Sequence, residues 1–135
     1  MPDHKQLCIV TGSRGYPNPD QVRAWARELP AEAHLMEGEC LNSPDVWARD
    51  GFLETHPAGQ LLKRPAAWRP GGVFNRRAGL ERNGTMAAEG RAWKDEGHLV
   101  RVVGFWDGAS TGTADMIRTS RSLGLHTKVR RPQGE

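Results

Sequence analysis

Three short stretches concentrate the residues able to do chemistry. Residues 107–113 read DGASTGT, between an apolar run and a helix-like segment. Gly108 and Gly112 open backbone conformations closed to other residues. Ser110, Thr111 and Thr113 supply three hydroxyls. A helix beginning here adds unsatisfied amides and a partial positive charge, a combination suited to phosphate. Capping by Thr111 or Thr113 would account for one hydroxyl, not for both glycines and all three hydroxyls. Residues 11–15, TGSRG, repeat the theme after the first apolar run. Gly12 allows close approach, Ser13 can donate, and Arg14 can hold a phosphate with its planar fork; the plain alternative is a turn with an exposed arginine. Neither GxGxxG nor GxxxxGK[ST] is present, so neither the dinucleotide fingerprint nor the P-loop applies. The third stretch, GECLNSPD at 38–45, adds Glu39 and Asp45.

The elements that must position these loops follow from pattern. QLCIV before Gly12 predicts a buried strand. NPDQVRAWARELP predicts a helix capped by Asn18 or Asp20, with Pro19 in its first turn and Val22, Trp25, Ala26 and Leu29 on one face. AHLME predicts a second strand. A helix with Ser43 as cap and Pro44 as first residue follows, with Gly51 weakening its middle. QLLKR is a weak third strand, and the Pro-, Gly- and Arg-rich stretch behind it is a loop. LERNGTMAAEGRAWKDEG predicts a third helix whose small residues allow close packing. HLVRVVGFW is the clearest strand, TADMIRTSRSLG the fourth helix, stopped by Gly124, and LHTKVR the fifth strand. Strand and helix alternate throughout, which predicts an α/β fold with a five-stranded, mostly parallel sheet and helices on both faces. In such sheets ligands sit beyond the carboxyl ends of the strands where strand order reverses, and all three loops leave strand ends.

With 135 residues the expectation is one domain over 1–135, its core at about 7–129 and a frayed tail at 130–135. No apolar run is long enough for a bilayer and the start lacks a signal peptide's pattern, so a cytoplasmic protein without membrane association is expected. The two cysteines and five scattered histidines have no metal-ligand spacing; no metal or cofactor is expected, and the histidines read as surface or loop residues. The net charge of +3 and the arginines of the middle favour an anionic partner. With no helix-turn-helix, zinc-finger or RNP-like pattern, small phosphates rank above nucleic acid.

VTGSR at the first strand, PAAW at 65–68, AGLERNGTM at 78–86 and FWDGASTGTADMIR at 105–118 together resemble the YspA / cpYpsA-related branch of the SLOG superfamily, which groups relatives of DprA/SMF and of LOG-type phosphoribohydrolases. The resemblance covers about residues 7–129. It implies a Rossmann-like three-layer sandwich that binds a nucleotide or nucleotide-derived molecule, as sensor or sequestering protein, in a branch common in phages and bacterial conflict systems. Carried over by motif, the ligand residues are Gly12, Ser13, Arg14, Arg82, Asn83, Gly108, Ser110, Gly112 and Thr113. The second-strand loop departs from the branch's usual GGARGAD: only Gly38 and Asp45 stay in register, and Glu39 and Leu41 reshape that corner. Superfamily members often pair, which implies a homo-oligomer.

For catalysis, N-glycosidic cleavage of a nucleotide needs a carboxylate near an oxocarbenium-like centre. LOG-type enzymes place a glutamate three residues after the threonine of GGxGTxxE; here that position is Met116. Asp115 lies one residue earlier, about 100° around the helix. Asp115 and Glu39 are the catalytic candidates, and Asp45 and Asp107 are carboxylates with plain cap or turn roles. The displaced carboxylate puts binding ahead of hydrolysis, and single-stranded nucleic-acid binding third. Trp106 is read as core packing; Trp68, in a loop, is as apt for stacking on a base as for packing.

Overall fold

The computed structural model describes residues 5–133. Five strands and four helices alternate: β1 (Gln6–Gly12), α1 (Pro19–Arg27), β2 (Ala33–Glu37), α2 (Pro44–Leu53), β3 (Leu61–Lys63), α3 (Ala78–Asp95), β4 (Leu99–Phe105), α4 (Thr111–Ser122) and β5 (His126–Arg130). They form one all-parallel sheet of order β3-β2-β1-β4-β5. The fold is therefore the expected Rossmann-like three-layer α/β sandwich. Strand order reverses between β1 and β4. A crevice opens beyond their carboxyl ends because the chain leaves β1 toward one face and β4 toward the other.

Each face has its own core. On one, α1 and α2 bury Val22, Ala26, Ala48 and Phe52 against Cys8, Val10, Leu35, Val103 and Phe105. Tyr16 and Trp25 meet Phe105 edge-on at 5.6 and 5.4 Å. On the other, α3 and α4 bury Met86, Ala87 and Met116 against Leu7, Ile9, Met36, Val100 and Val102. The alternation of β1 and β4 between the two cores is the period-2 pattern of strands buried on both sides.

Local signals act as read at most boundaries. Asn18 caps α1 by accepting from the Gln21 amide, with Pro19 in the first turn, and Ser43 caps α2 by accepting from the Asp45 amide ahead of Pro44. Four expectations need correction. Gly51 is not a weak point: a Cβ there would lie 2.2 Å from the Arg23 carbonyl oxygen, so α1 and α2 meet backbone to backbone. His56 lies in the loop after α2 as read but is not at the surface: it is buried, stacked on Phe52 at 4.0 Å with Nε2 facing the Leu29 and Pro30 carbonyls. The cap of α4 is Ser110, not Thr111 or Thr113. The described part of the tail is held: the Asn18 and Gln21 side chains donate to the Pro132 and Arg131 carbonyls, and Arg130 ends β5. Residues 134–135, and 1–4 of the leader reading, lie outside the described residues. Among the described residues no helix is long and apolar enough to cross a membrane.

Candidate functional site

β1 and β4 run side by side in register to their last residues, Gly12 beside Phe105. The loops that follow are thereby locked together. Buried Ser13 donates its amide to the Phe105 carbonyl at 3.0 Å. Its hydroxyl accepts from the Asp107 amide at 3.1 Å and faces the Thr113 hydroxyl at 3.4 Å. Ser110 caps Thr113. Asp107 accepts from the Ala109 and Ser110 amides, both at 2.9 Å; these amides hold its carboxyl below the usual carboxylate range. Gly108, at φ +90, makes this turn possible. Gly112 does not need such freedom: it lies in the first turn of α4, and a Cβ there would meet nothing within 4 Å. Its missing side chain keeps space open. The Thr111 and Gly112 amides find no acceptor among the described residues, as the first turn of a helix requires.

A cleft of about 280 Å³ opens at this point, lined by Thr11, Gly12, Arg14, Cys40, Asp45, Trp68, Arg76, Gly79, Leu80, Arg82, Asn83, Ser110, Gly112 and Thr113. A second hollow of about 460 Å³ adjoins it beneath the 38–42 loop and shares Arg14, Cys40, Trp68 and Arg82 with it. Asn83 and Arg82 come from α3. Asn83, buried in the second turn, donates to the Gly112 carbonyl at 3.2 Å and ties α3 to the start of α4. Arg82 donates to the Gly38 carbonyl at 2.7 Å and to Asn83 Oδ1 at 3.1 Å. Gly38 makes room for this contact, because a Cβ would sit 2.0 Å from the Arg82 guanidinium. Arg14, exposed, reaches across to Cys40 Sγ at 3.6 Å.

The opposite wall is built on carboxylates. Asp45, in the first turn of α2, accepts from the Cys40 amide at 3.2 Å. Burial pushes its carboxyl up to about 6, against the pull of Arg82 and of backbone amides. Glu37, fully buried at the end of β2, accepts from the Glu39 amide. Burial lifts it to about 7, and its second oxygen has no partner among the described residues. Glu39 and Asn42 between them adopt φ +55 and +54, a left-handed conformation that costs a residue with a side chain.

Of the residues singled out from sequence, Gly12, Arg14, Arg82, Asn83, Ser110, Gly112 and Thr113 line the cleft. Ser13 lies behind them as wiring. Gly108 turns away, next to Arg131. Glu39 borders the neighbouring hollow and pairs with Lys63 at 3.7 Å. Asp115 borders neither; it pairs with Arg118 at 3.1 Å while Met116 fills the core. Trp106 is half-buried, donates to the Ser110 carbonyl at 2.9 Å and carries Arg131 over its ring at 4.9 Å; it belongs to neither core cluster nor cleft. Trp68 stands at the rim, 45% exposed. Sequence reasoning underrated Asp45, read as a cap, and gave Cys40 and Arg76 no place in the site. The available signal was position: Cys40 and Asp45 follow the end of β2, a strand that adjoins the switch point. No protein-family model matches the chain, and no curated protein and no solved structure matches it either.

Proposed function

We propose that this protein binds a phosphorylated nucleotide or nucleotide-derived signalling molecule at the β1/β4 crevice, as a sensor or sequestering protein of the YspA / cpYpsA-related SLOG type. The observation that carries the reading is the convergence, on one cleft at the strand-order reversal, of three arginines with the free first-turn amides of α4. Arg14, Arg76 and Arg82 supply positive charge, and α4 supplies N–H donors and the positive end of its dipole. Gly112 leaves room for a phosphate oxygen to reach the backbone. Trp68 offers an exposed ring at the rim on which a base can stack. The hollow beneath the 38–42 loop gives space for the rest of a ligand longer than one phosphate.

Calorimetry of the purified protein against nucleoside mono- and diphosphates, cyclic nucleotides and ADP-ribose tests this. One member of the panel binds saturably and is displaced by an excess of its own phosphorylated part. No saturable heat from any of them, with no nucleotide co-purifying by mass spectrometry, would remove the proposal.

One observation favours a second reading, an N-glycoside hydrolase. Asp45 is a buried carboxyl at the cleft with its proton held up to about 6, close to where an acid–base group works best at neutral pH. It suits that role better than Asp115 or Glu39, both drawn away into ion pairs. Under the binding reading, chromatography after incubation recovers the nucleotide intact. Release of free base, lost in Asp45→Asn, would establish the hydrolase instead.

A further inference from the structure

β4 and β5 carry a second surface that shares no lining residue with the cleft. Parallel register sets Arg101 beside His126, Val103 beside Lys128 and Phe105 beside Arg130, and partners in register project from the same sheet face. It is the face that α1 and α2 cover over the other strands. Over β5 no described helix covers it: Leu99, Arg101, His126 and Lys128 are exposed, and α4 packs on β5 from the opposite side. A groove of about 440 Å³ runs along it, walled by Trp25 and Leu29 of α1. Among the described residues, neither Arg101, Lys128 nor Arg130 pairs with a carboxylate. Arg130 Nε is buried in the groove's lining without a hydrogen-bond partner, and a buried donor in that state gains from an acceptor brought from outside.

We propose that this groove binds single-stranded nucleic acid. Side chains two residues apart on a strand recur every ~6.6 Å, so His126, Lys128 and Arg130 form a row spaced like successive phosphates of an extended polynucleotide, with Arg101 beside it. Trp25, Leu29 and Leu99 provide an aromatic and apolar wall for base and sugar faces, the pairing of basic track with stacking platform that sequence-tolerant single-strand binders use. A second copy docked face to face would set these cations against their own equivalents, which association disfavours.

Fluorescence anisotropy of the full chain with fluorescein-labelled dT20 and U20, between 50 and 200 mM salt, tests the proposal. Saturable binding is expected, with log K falling against log salt by about 0.7 for each phosphate contacted. The double variant Arg101→Glu/Lys128→Glu, at exposed positions and checked for fold by circular dichroism, weakens it at least tenfold and leaves mononucleotide affinity unchanged. Excess AMP does not displace the oligonucleotide. No saturable binding at 50 mM salt, undiminished binding by the double variant, or displacement by AMP would each overturn the proposal. So would competition by polyglutamate equal to that by unlabelled oligonucleotide, which would reassign the face to an acidic protein. A dimer in sedimentation that the double variant abolishes would reassign it to a second copy.

Discussion

The two walls of the cleft are built on opposite principles. The β1/β4 wall is wired through short side chains: Ser13, Asp107, Ser110 and Thr113 bond one another and the loop backbone, and Asn83 fixes it to α3. Its one carboxylate, Asp107, is satisfied by amides and held ionised. The β2/α2 wall is a strained loop suspended between two buried carboxyls held toward their neutral forms, Glu37 and Asp45, and the Arg82 guanidinium. The contrast implies a division of labour. The first wall presents donors at fixed positions, as phosphate recognition needs. The second sets the shape of the remaining space, and under the proposed function it would select the ligand by that shape.

The largest expected effect breaks the first wall's function while sparing its structure. Gly112→Val projects a side chain into open cleft space, so thermal stability stays close to wild type while calorimetric nucleotide binding disappears. Affinity retained in that variant would move the phosphate elsewhere.

The second wall is expected to respond to pH. Burial lifts Glu37 from 4.5 to about 7 in the folded protein, so between those values the folded state holds a proton that the unfolded chain has lost. Its favourable contribution is therefore present at low pH and fades as pH rises toward 7, by a few kcal/mol at about 1.4 kcal/mol per pH unit; Asp45 acts in the same direction up to about 6. Urea denaturation of Glu37→Gln should show a correspondingly flatter stability profile over this range. A slope equal to wild type would mean that Glu37 is ionised in the folded state.

Gly38→Ala sharpens the link between the walls. The new methyl overlaps the Arg82 guanidinium, the movable end of a long side chain, so the fold survives and Arg82 leaves the Gly38 carbonyl. Loss of that positioned cation lowers nucleotide affinity by roughly 1.5–3 kcal/mol, the scale of a hydrogen bond to a charged group, and calorimetry reads it directly. Unchanged affinity would make Arg82 a bystander. The smallest effect belongs to Asp107→Asn. Asp107 is depressed in the folded state, so its contribution is present above its ordinary value of 3.8 and is lost as pH falls through the folded value. The variant should lose part of the wild type's acid-induced drop in melting temperature, opposite in sign to the Glu37 effect.

How far the sequence could be read differs between the same two walls. The order of strands and helices, the Asn18 and Ser43 caps and the chemistry of DGASTGT are local signals, fixed by residues within one or two turns. The first wall was legible for that reason. Even there, Gly112 reads from sequence as a residue of unusual backbone freedom when its role is to leave space, and the partner of Asn83, a ligand residue only by motif, is 29 positions away. The second wall depends on contacts that pattern does not encode: Arg82 meeting Gly38 across 44 positions, and two carboxylates that look like ordinary cap and strand-end residues until the fold buries them. The exposed β4–β5 face lay in plain view as the alternation of Arg101, His126, Lys128 and Arg130, but which sheet face α1 leaves open is a property of topology.

The most direct test of the central claim is an amide NMR titration of the labelled protein with AMP, GMP, CMP, UMP and ADP-ribose. At least one of them should cause saturable shifts at the Thr111 and Gly112 amides and at Arg14, together with the Arg82 side-chain Nε–H. Saturable shifts confined to the β4–β5 face, or none with any of the five, would contradict a phosphate seat between the first-strand loop and the start of α4.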